Sequence, residues 1–289
     1  MNLEIGIILA FCAMLCWGIG DFMIQKNVRK EGNIQSLLFI GIIGLIGLLP
    51  FVWKDIPSLF YLPNFILILV LGLLTFAAAV FDFEALKSGK ISVVEIVFEI
   101  ELLVTILLGM FIFKERLTGY QWITITLIFI GIIMMAVKDY HLKNPKIFLE
   151  RGVLIGLVGS IFMGSVNFLT ASSARTISPI MAVWGPALIF SLLSLILIGK
   201  REGFKKMKTN IFKYKYIILI MGIFDTLAWV TYAFATTFRE VGIITAITES
   251  YPAICIMLRV WINKEKVNWH QYLGAGLALT CSFILGFIL

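Results

Sequence analysis

Histidine and cysteine are scarce in this sequence. Its 289 residues include two histidines and four cysteines. The cysteines, Cys12, Cys16, Cys255 and Cys281, all fall inside apolar runs, where cysteine behaves as a small buried residue. Both histidines stand at the ends of such runs, and no cysteine spacing is typical of a metal or redox site. We therefore expect no metal ion and no catalytic site.

Charge is also scarce. Charged residues make up 14% of the chain and hydrophobic residues 60%, whereas a soluble domain is roughly a quarter charged and half apolar. This much apolar surface cannot be hidden in one soluble core, so the composition indicates a protein that crosses the membrane several times. The formal net charge is +7, with the basic residues in short segments between apolar runs. That placement favours a role in membrane orientation over nucleic-acid binding.

Ten apolar runs have about the length of 20 residues that a membrane-spanning helix needs. They cover roughly residues 4–24, 34–53, 64–86, 91–113, 120–137, 152–172, 179–198, 216–236, 242–262 and 270–288. The connections between them are too short to hold a soluble domain. The sequence therefore predicts an all-α membrane protein with ten transmembrane helices.

The chain repeats itself. Residues 113–122, FKERLTGYQW, match residues 263–272, NKEKVNWHQY, at an offset of 150. The same offset carries Glu99 onto Glu249. The chain is therefore predicted to contain two copies of a five-helix unit.

We expect the first unit at residues 1–137, a connecting loop at 138–151 and the second unit at 152–289. Because each unit has an odd number of spans, the second unit enters the membrane from the opposite side. The halves are then inverted repeats, and substrate sites in such folds lie near the bilayer midplane where the halves meet.

The connections after odd-numbered spans (odd connections) are more basic than those after even-numbered spans (even connections). Odd connections carry 18 lysines and arginines, and even connections carry five. Residues 199–215 supply seven of the 18. The positive-inside rule places the odd connections in the cytoplasm and both termini outside.

Eight acidic residues fall within the predicted spans. A carboxylate at the bilayer centre costs roughly 2.5–3.5 kcal/mol on insertion scales. Four lie near a span end, where an interfacial position is the main alternative to a functional one: Asp21, Asp82, Glu84 and Glu95. Four lie deeper, where ionisable groups usually mark a pathway: Glu99, Glu101, Asp225 and Glu249.

Glu99 and Glu249 form the candidate pair for substrate or proton binding. They lie at matching places in the two copies, so in an inverted repeat they can face one cavity from two sides. Glu95, four residues before Glu99, shares its helix face, whereas Glu101 is about 200° round the helix and is predicted to point elsewhere. Two like charges in a dry site cannot both ionise cheaply, so such a site can hold a proton and exchange it for a cation. Protonated structural residues are the alternative.

Aromatic side chains accompany the acids. Trp17 lies one turn before Asp21, and Trp229 and Tyr232 follow Asp225 on the same helix face. Aromatic faces with carboxylates suit an organic cation; anchoring at the lipid interface is the alternative. The candidate substrate- or proton-binding residues are Glu99, Glu249, Asp225, Glu95, Trp17, Asp21, Trp229 and Tyr232.

Several motifs carry a family resemblance. They are AMLCWGIGDF at the end of the first span, the span ends FIFKERLTGYQW and WINKEKVNWHQY, and ESYPAI in the ninth span. Together with ten spans and the repeat, they resemble the drug/metabolite transporter superfamily, specifically ten-helix proteins with two EamA-type repeats. The resemblance implies halves that rock around a cavity lined by spans 1, 3, 4, 6, 8 and 9.

The predicted function is secondary active transport of a small metabolite by alternating access in the cell membrane. The leading substrate class is a cationic or zwitterionic amine or drug-like compound, with protons as the candidate coupling ion. The alternative is an exporter or facilitator of amino acids or neutral metabolites, in which the acids are only proton or structural sites. The sequence lacks the phosphate-binding pattern G-x-x-x-x-G-K-[ST], so we expect an ion or substrate gradient as the energy source.

The predicted partners are the substrate and the lipid bilayer. We expect no cofactor and no nucleic acid, and either a monomer or a homodimer. An enzyme would need a nucleophile and a base, or metal ligands, at a common depth. The deep positions offer carboxylates without histidine, so a transporter is favoured over an enzyme.

Overall fold

The described part of the chain is helical throughout its regular elements. A computed structural model describes residues 2–31, 33–88, 91–137, 150–201 and 204–287. Within these ranges the α-helices are α1 (Asn2–Glu31), α2 (Asn33–Val52), α3 (Leu62–Ser88), α4 (Ile91–Phe98), α5 (Ile100–Ile112), α6 (Gly119–Ala136), α7 (Arg151–Thr176), α8 (Pro179–Arg201), α9 (Phe204–Ala235), α10 (Val241–Thr248), α11 (Tyr251–Asn263) and α12 (Trp269–Phe287). A short 3-10 helix, Ile56–Phe60, precedes α3.

These helices form ten membrane spans. Eight segments of the described chain are long and apolar enough to cross a membrane, and one of them, Val241–Asn263, combines α10 and α11. The matching segment made of α4 and α5, together with the C-terminal helix α12, completes the set. The predicted all-α architecture with ten transmembrane helices is confirmed.

The connection at residues 199–215 is more helical than predicted. Helix α8 continues to Arg201, and α9 begins at Phe204. Helix α9 is kinked at Tyr214, where φ is −119° and ψ is 18°, and the apolar span Lys213–Ala235 starts at this kink. The helix before the kink was not predicted, because spans were identified by runs of apolar residues and this segment is rich in lysine.

The two halves interlock as inverted repeats. Helix α1 packs along α9, and α3 packs along α7. These two contacts are equivalent when the halves are exchanged. Helix α2 packs on its own counterpart α8, and α6 packs on its counterpart α12. This pattern is expected of two five-helix units related by a pseudo-two-fold axis.

The repeat extends to single backbone angles. Lys114 has a φ of 57° and Lys264 a φ of 56°, in a left-handed region that few non-glycine residues adopt. In each copy the following amide, of Glu115 or Glu265, donates to the carbonyl six residues earlier, at 3.2 and 3.3 Å. The sequence match at an offset of 150 is thus a match of local structure.

Helix α10 lies in the interior of the protein. All eight of its residues, Val241–Thr248, are buried. A cluster of buried apolar side chains surrounds it, with members such as Ile7 of α1, Ile128 of α6 and Tyr232 of α9. This enclosure fixes α10 between the two repeats.

Helices α6 and α12 approach closely through glycines. A Cβ atom added at Gly274 would lie 2.5 Å from the carbonyl oxygen of Gly131. The buried Gln271 side chain donates to the carbonyl of Met135 at 2.7 Å across the same contact. Small residues let membrane helices pack at short distance, where dispersion and hydrogen bonds stabilise them.

We expect Gly274→Ala to destabilise the protein, because the new methyl group meets backbone that cannot move aside. Overpacking of this kind costs about 1–3 kcal/mol, which should lower the thermal unfolding midpoint of the purified protein in detergent. Gly276 lies two residues further along α12 with nothing within 4 Å of its added Cβ, so Gly276→Ala is the matched control. Equal midpoints for the two variants would contradict the close helix contact.

Candidate functional site

A cavity of about 310 Å³ lies between the two repeats. Its walls come from α1, α3, α4, α5, α7, α9, α11 and the turn between α10 and α11, as the family resemblance implied. Helices α2 and α8 add an apolar wall that was not predicted, with Leu37, Ala187 and Phe190 among its members. Both repeats therefore contribute to one shared cavity.

Five carboxylates line this cavity. They are Asp21, Asp82, Glu101, Asp225 and Glu249. Among the described residues that line it there is no lysine and no arginine. Acidic side chains from both halves thus converge, with no basic residue among the described residues of the cavity wall.

Two spans break beside the cavity, at matching positions. A single residue, Glu99, separates α4 from α5, with φ of −65° and ψ of −10°. In the second repeat Glu249 and Ser250 separate α10 from α11, and Glu249 has φ of −64° and ψ of −5°. Interrupted spans in corresponding places of two inverted repeats are typical of transporter binding sites.

The first break is followed by Glu101 and the second contains Glu249, and these two carboxyl groups lie close enough to interact with each other. Glu249 is 5% exposed. One carboxyl group from each repeat therefore meets at the centre of the interface.

The structure corrects which glutamate of the fourth span meets Glu249. Glu101 lines the cavity, whereas Glu99 is not among the lining residues, although it is near enough to interact electrostatically with Glu101. The sequence predicted Glu99 at the cavity and Glu101 pointing elsewhere, whereas the lining residues include Glu101. A sequence match fixes a position along the helix and leaves open which face meets the other repeat. The side chain of Glu95 lies outside the described residues.

Asp21 and Asp225 both line the cavity and interact electrostatically with each other across the contact between α1 and α9. The Cys255 thiol donates to the Asp21 carboxylate at 3.7 Å. The structure thus brings Asp225, which was predicted to lie deep in the membrane, next to Asp21, which was predicted to lie near a span end.

Asp82 was considered interfacial in the sequence, yet it lines the cavity. Its carboxylate lies over Gly159 of α7, where any added Cβ would collide with it. One of its oxygens is buried and makes no hydrogen bond within the described part of the chain. The sequence signal for Asp82 was Gly159 on the opposing helix, because a missing side chain leaves room for a polar group.

An aromatic cluster forms the wall next to Glu249. The Trp17 ring lies 5.1 Å from that of Trp229, nearly perpendicular to it, and 6.4 Å from that of Tyr251. All three of these residues line the cavity. Tyr251 was absent from the predicted site, although it follows Glu249 by two residues.

Tyr232 was predicted to form part of the cavity wall but lies behind it. Its ring packs on Trp17 at 5.5 Å and on Trp229 at 5.9 Å, and the residue is 0% exposed. Its hydroxyl lies 2.9 Å from the Thr245 hydroxyl and 3.4 Å from the Asn167 carbonyl. Tyr232 therefore supports the two tryptophans rather than facing the cavity.

Two interlocked five-helix repeats around an acidic cavity are an architecture found among membrane transporters. The EamA-like transporter family matches residues 4–137 and 150–287, and the chain belongs to this family. The resemblance to drug/metabolite transporters is confirmed, and the protein is a multi-pass transporter of the cell membrane.

Two individual proteins are similar over almost the whole chain. A protein of Escherichia coli (strain K12) described as a "Probable amino-acid metabolite efflux pump" is 23% identical over 294 residues, which is 96% of this chain and 93% of that protein. A solved crystal structure superposes with a TM-score of 0.79 over 98% of this chain and 96% of the other, at 15% identity. That structure shows the same fold.

We expect Tyr232→Phe to lower the thermal unfolding midpoint, because it removes a buried hydroxyl hydrogen bond worth about 1 kcal/mol. Tyr251→Phe is the matched control. Tyr251 is only half-buried and faces the cavity, so its hydroxyl should contribute less to stability. A larger midpoint loss in Tyr251→Phe than in Tyr232→Phe would show that the supporting and lining roles are reversed.

Proposed function

We propose that this transporter carries a small cationic or zwitterionic amine by alternating access and exchanges it for protons. The proposal rests on the five carboxylates that line the cavity without a lysine or arginine among its described lining residues. Burying this much like charge is unfavourable unless a cation or protons neutralise it. An amine supplies such a charge and also has apolar groups that match the rest of the wall.

The aromatic cluster supports an organic cation over a bare metal ion. Trp17, Trp229 and Tyr251 face the cavity beside Glu249. A ring face attracts an ammonium group within about 6 Å of its centroid, and tryptophan is the strongest such partner. Carboxylates and ring faces together would bind a charged nitrogen and the carbon atoms attached to it.

The contact between Glu101 and Glu249 supports proton exchange. Two carboxyl groups this close together in a buried site cannot both ionise cheaply, so one of them favours holding a proton. A bound ammonium group would remove the need for this proton. The pair could therefore hold a proton in one half of the transport cycle and a cation in the other, and a proton gradient would supply the energy.

Export of amino acids or neutral metabolites is the second candidate. It is favoured by the E. coli relative, whose description names an amino-acid metabolite efflux pump, and by neutral polar groups in the cavity wall. Asn167, Thr170 and Thr226 line the cavity and can donate hydrogen bonds to a substrate carboxylate or hydroxyl. In this version the acids serve only as proton or structural sites.

Transport into proteoliposomes separates the two candidates. We expect radiolabelled amines to accumulate when the lumen is acidic, because protons leaving the lumen exchange for the entering cation. Acidifying the external side instead should weaken uptake, because protons compete with the amine for the same carboxylates. Accumulation of neutral amino acids without any amine would favour the second candidate.

Substitution of the glutamates tests the site itself. We expect Glu249→Gln and Glu101→Gln each to reduce amine uptake by at least about tenfold, the scale of one lost charged contact, and to abolish its dependence on the pH gradient. Glu99→Gln is the matched control, since it makes the same chemical change two residues from Glu101 outside the cavity lining. The proposal fails if Glu99→Gln is as damaging as the other two, or if uptake and its pH dependence survive all three changes.

A further inference from the structure

One carboxylate joins the two repeats at the end of the molecule that carries the even connections. Glu115 follows α5 in the first repeat. Its carboxylate accepts hydrogen bonds from the amides of Val241, at 3.0 Å, and Gly242, at 3.4 Å, which are the first residues of α10 in the second repeat. A negative charge at a helix N-terminus is stabilised by the free amides and the helix dipole. Glu115 therefore holds the start of α10.

Arg175, at the end of α7, extends this contact. Its guanidinium forms an ion pair with Glu115 at 3.1 Å. It also donates to the carbonyls of Thr236 and Arg239, both at 2.8 Å, and lies 4.4 Å above the centre of the Phe113 ring. These bonds join the connections after the fourth, sixth and eighth spans into one network, which we call the even-end latch.

A second contact involves the remaining even connection. The Ser178 hydroxyl, just after α7, donates to the carboxylate of Asp55, which lies between α2 and α3. The same hydroxyl accepts from the amide of Met181 in α8, at 3.0 Å. The even-end latch thus joins the connections after the fourth, sixth and eighth spans. The hydrogen bond between Asp55 and Ser178 joins the connection after the second span to the connection after the sixth.

The latch lies directly beyond one end of the cavity. Thr170 lines the cavity and precedes Arg175 by five residues on α7, or about 7.5 Å along the helix. Cavity residues at this end are almost fully enclosed: Asn167 is 3% exposed, and Thr170 and Ala182 are each 2% exposed. Asp21 and Asp82, towards the odd connections, retain intermediate exposure. The latch thus coincides with the closed end of the cavity.

Glu115 has a counterpart in the second repeat, Glu265, which makes a different hydrogen bond. Glu265 stands at the place of Glu115 in the second copy, with the same helix end and the same left-handed lysine before it. Its carboxylate accepts a hydrogen bond from Asn263 of its own connection, at 2.9 Å, and the residue is exposed. By the same symmetry, the helix start that corresponds to α10 is that of α4, at Ile91.

We propose that Glu115 and Arg175 form the gate that closes the even end, and that Glu265 takes the corresponding place at the start of α4 when the odd end closes. The two glutamates would then alternate, each engaged in one of the two states of the transporter. This inference goes beyond the proposed function, because it holds for any substrate and is tested without one.

The test measures access to the cavity from each membrane face. The four native cysteines are replaced by serine, and single cysteines are introduced at Thr170 for the even end and at Ala79, which also lines the cavity, for the odd end. A cysteine at the exposed Lys54, in an even connection, identifies the membrane face. Labelling rates with a membrane-impermeant thiol reagent are compared in right-side-out and inside-out vesicles.

We expect Glu115→Gln to raise the labelling rate at residue 170 from the even face by about tenfold, the scale of one lost charged contact. Labelling at residue 79 from the odd face should fall at the same time, because opening one end of an alternating carrier closes the other. A rise at both positions would indicate general loosening and would overturn the proposal, as would no change at residue 170.

Glu265→Gln is the matched control, because it makes the same chemical change at the equivalent position. We expect it to leave labelling at residue 170 unchanged or lower, since it removes a contact of the opposite state. Combined with Glu115→Gln, it should return labelling at residue 170 towards the parent rate. If Glu265→Gln raises this rate as much as Glu115→Gln does, the two residues have no opposed roles and the proposal fails.

Discussion

The cost of a carboxylate in a hydrocarbon layer governs the organisation of this protein. Five acidic side chains lie within the spans and line one cavity, and lipid could not solvate them. The two halves therefore enclose a shared polar space. Glycine at position 159 leaves room for Asp82, and breaks in two spans deliver Glu101 and Glu249. These features gather five of the eight acidic residues of the spans in one place.

Sequence symmetry and structural symmetry differ at this space in an informative way. Glu99 and Glu249 correspond in the repeat, but the two glutamates that line the cavity and interact with each other are Glu101 and Glu249. The residue that corresponds to Glu101 is Tyr251, which lines the cavity as an aromatic. Two copies of one fold therefore supply different chemistry to the two sides of the cavity. The amine proposed as substrate would contact the acidic side and the aromatic side at once if it carried an apolar group.

Much of the fold was predictable from the sequence because its signals are long. Runs of about 20 apolar residues, and a repeat that matches ten residues at an offset of 150, can be recognised even if the end of one helix is misplaced. The helical stretch before Tyr214 was missed since its lysines place it outside the hydrocarbon layer, where hydropathy carries no information about helix formation. Hydropathy locates the part of a helix that crosses the membrane. It does not locate the part that continues outside the membrane.

The site was predictable in part. Depth and helical spacing identified Asp225, Glu249 and Trp229, which do line the cavity. The same reasoning placed Tyr232 in the wall, whereas the structure places it behind the tryptophans. The choice between Glu99 and Glu101 depends on the rotation of one helix about its axis. That rotation is set by contacts between the halves, which no single segment of sequence encodes.

Helix α10 connects the contact at Glu115 with the cavity. It is eight residues long, or about 12 Å, with Glu115 bound at its first residues and Glu249 directly after its last. All its residues are buried, so neighbouring side chains leave it little freedom to bend. Such a segment acts as a rigid rod between the membrane surface and the binding cavity. If the proposed gate moves the start of α10, Glu249 at the other end of the helix is expected to move with it.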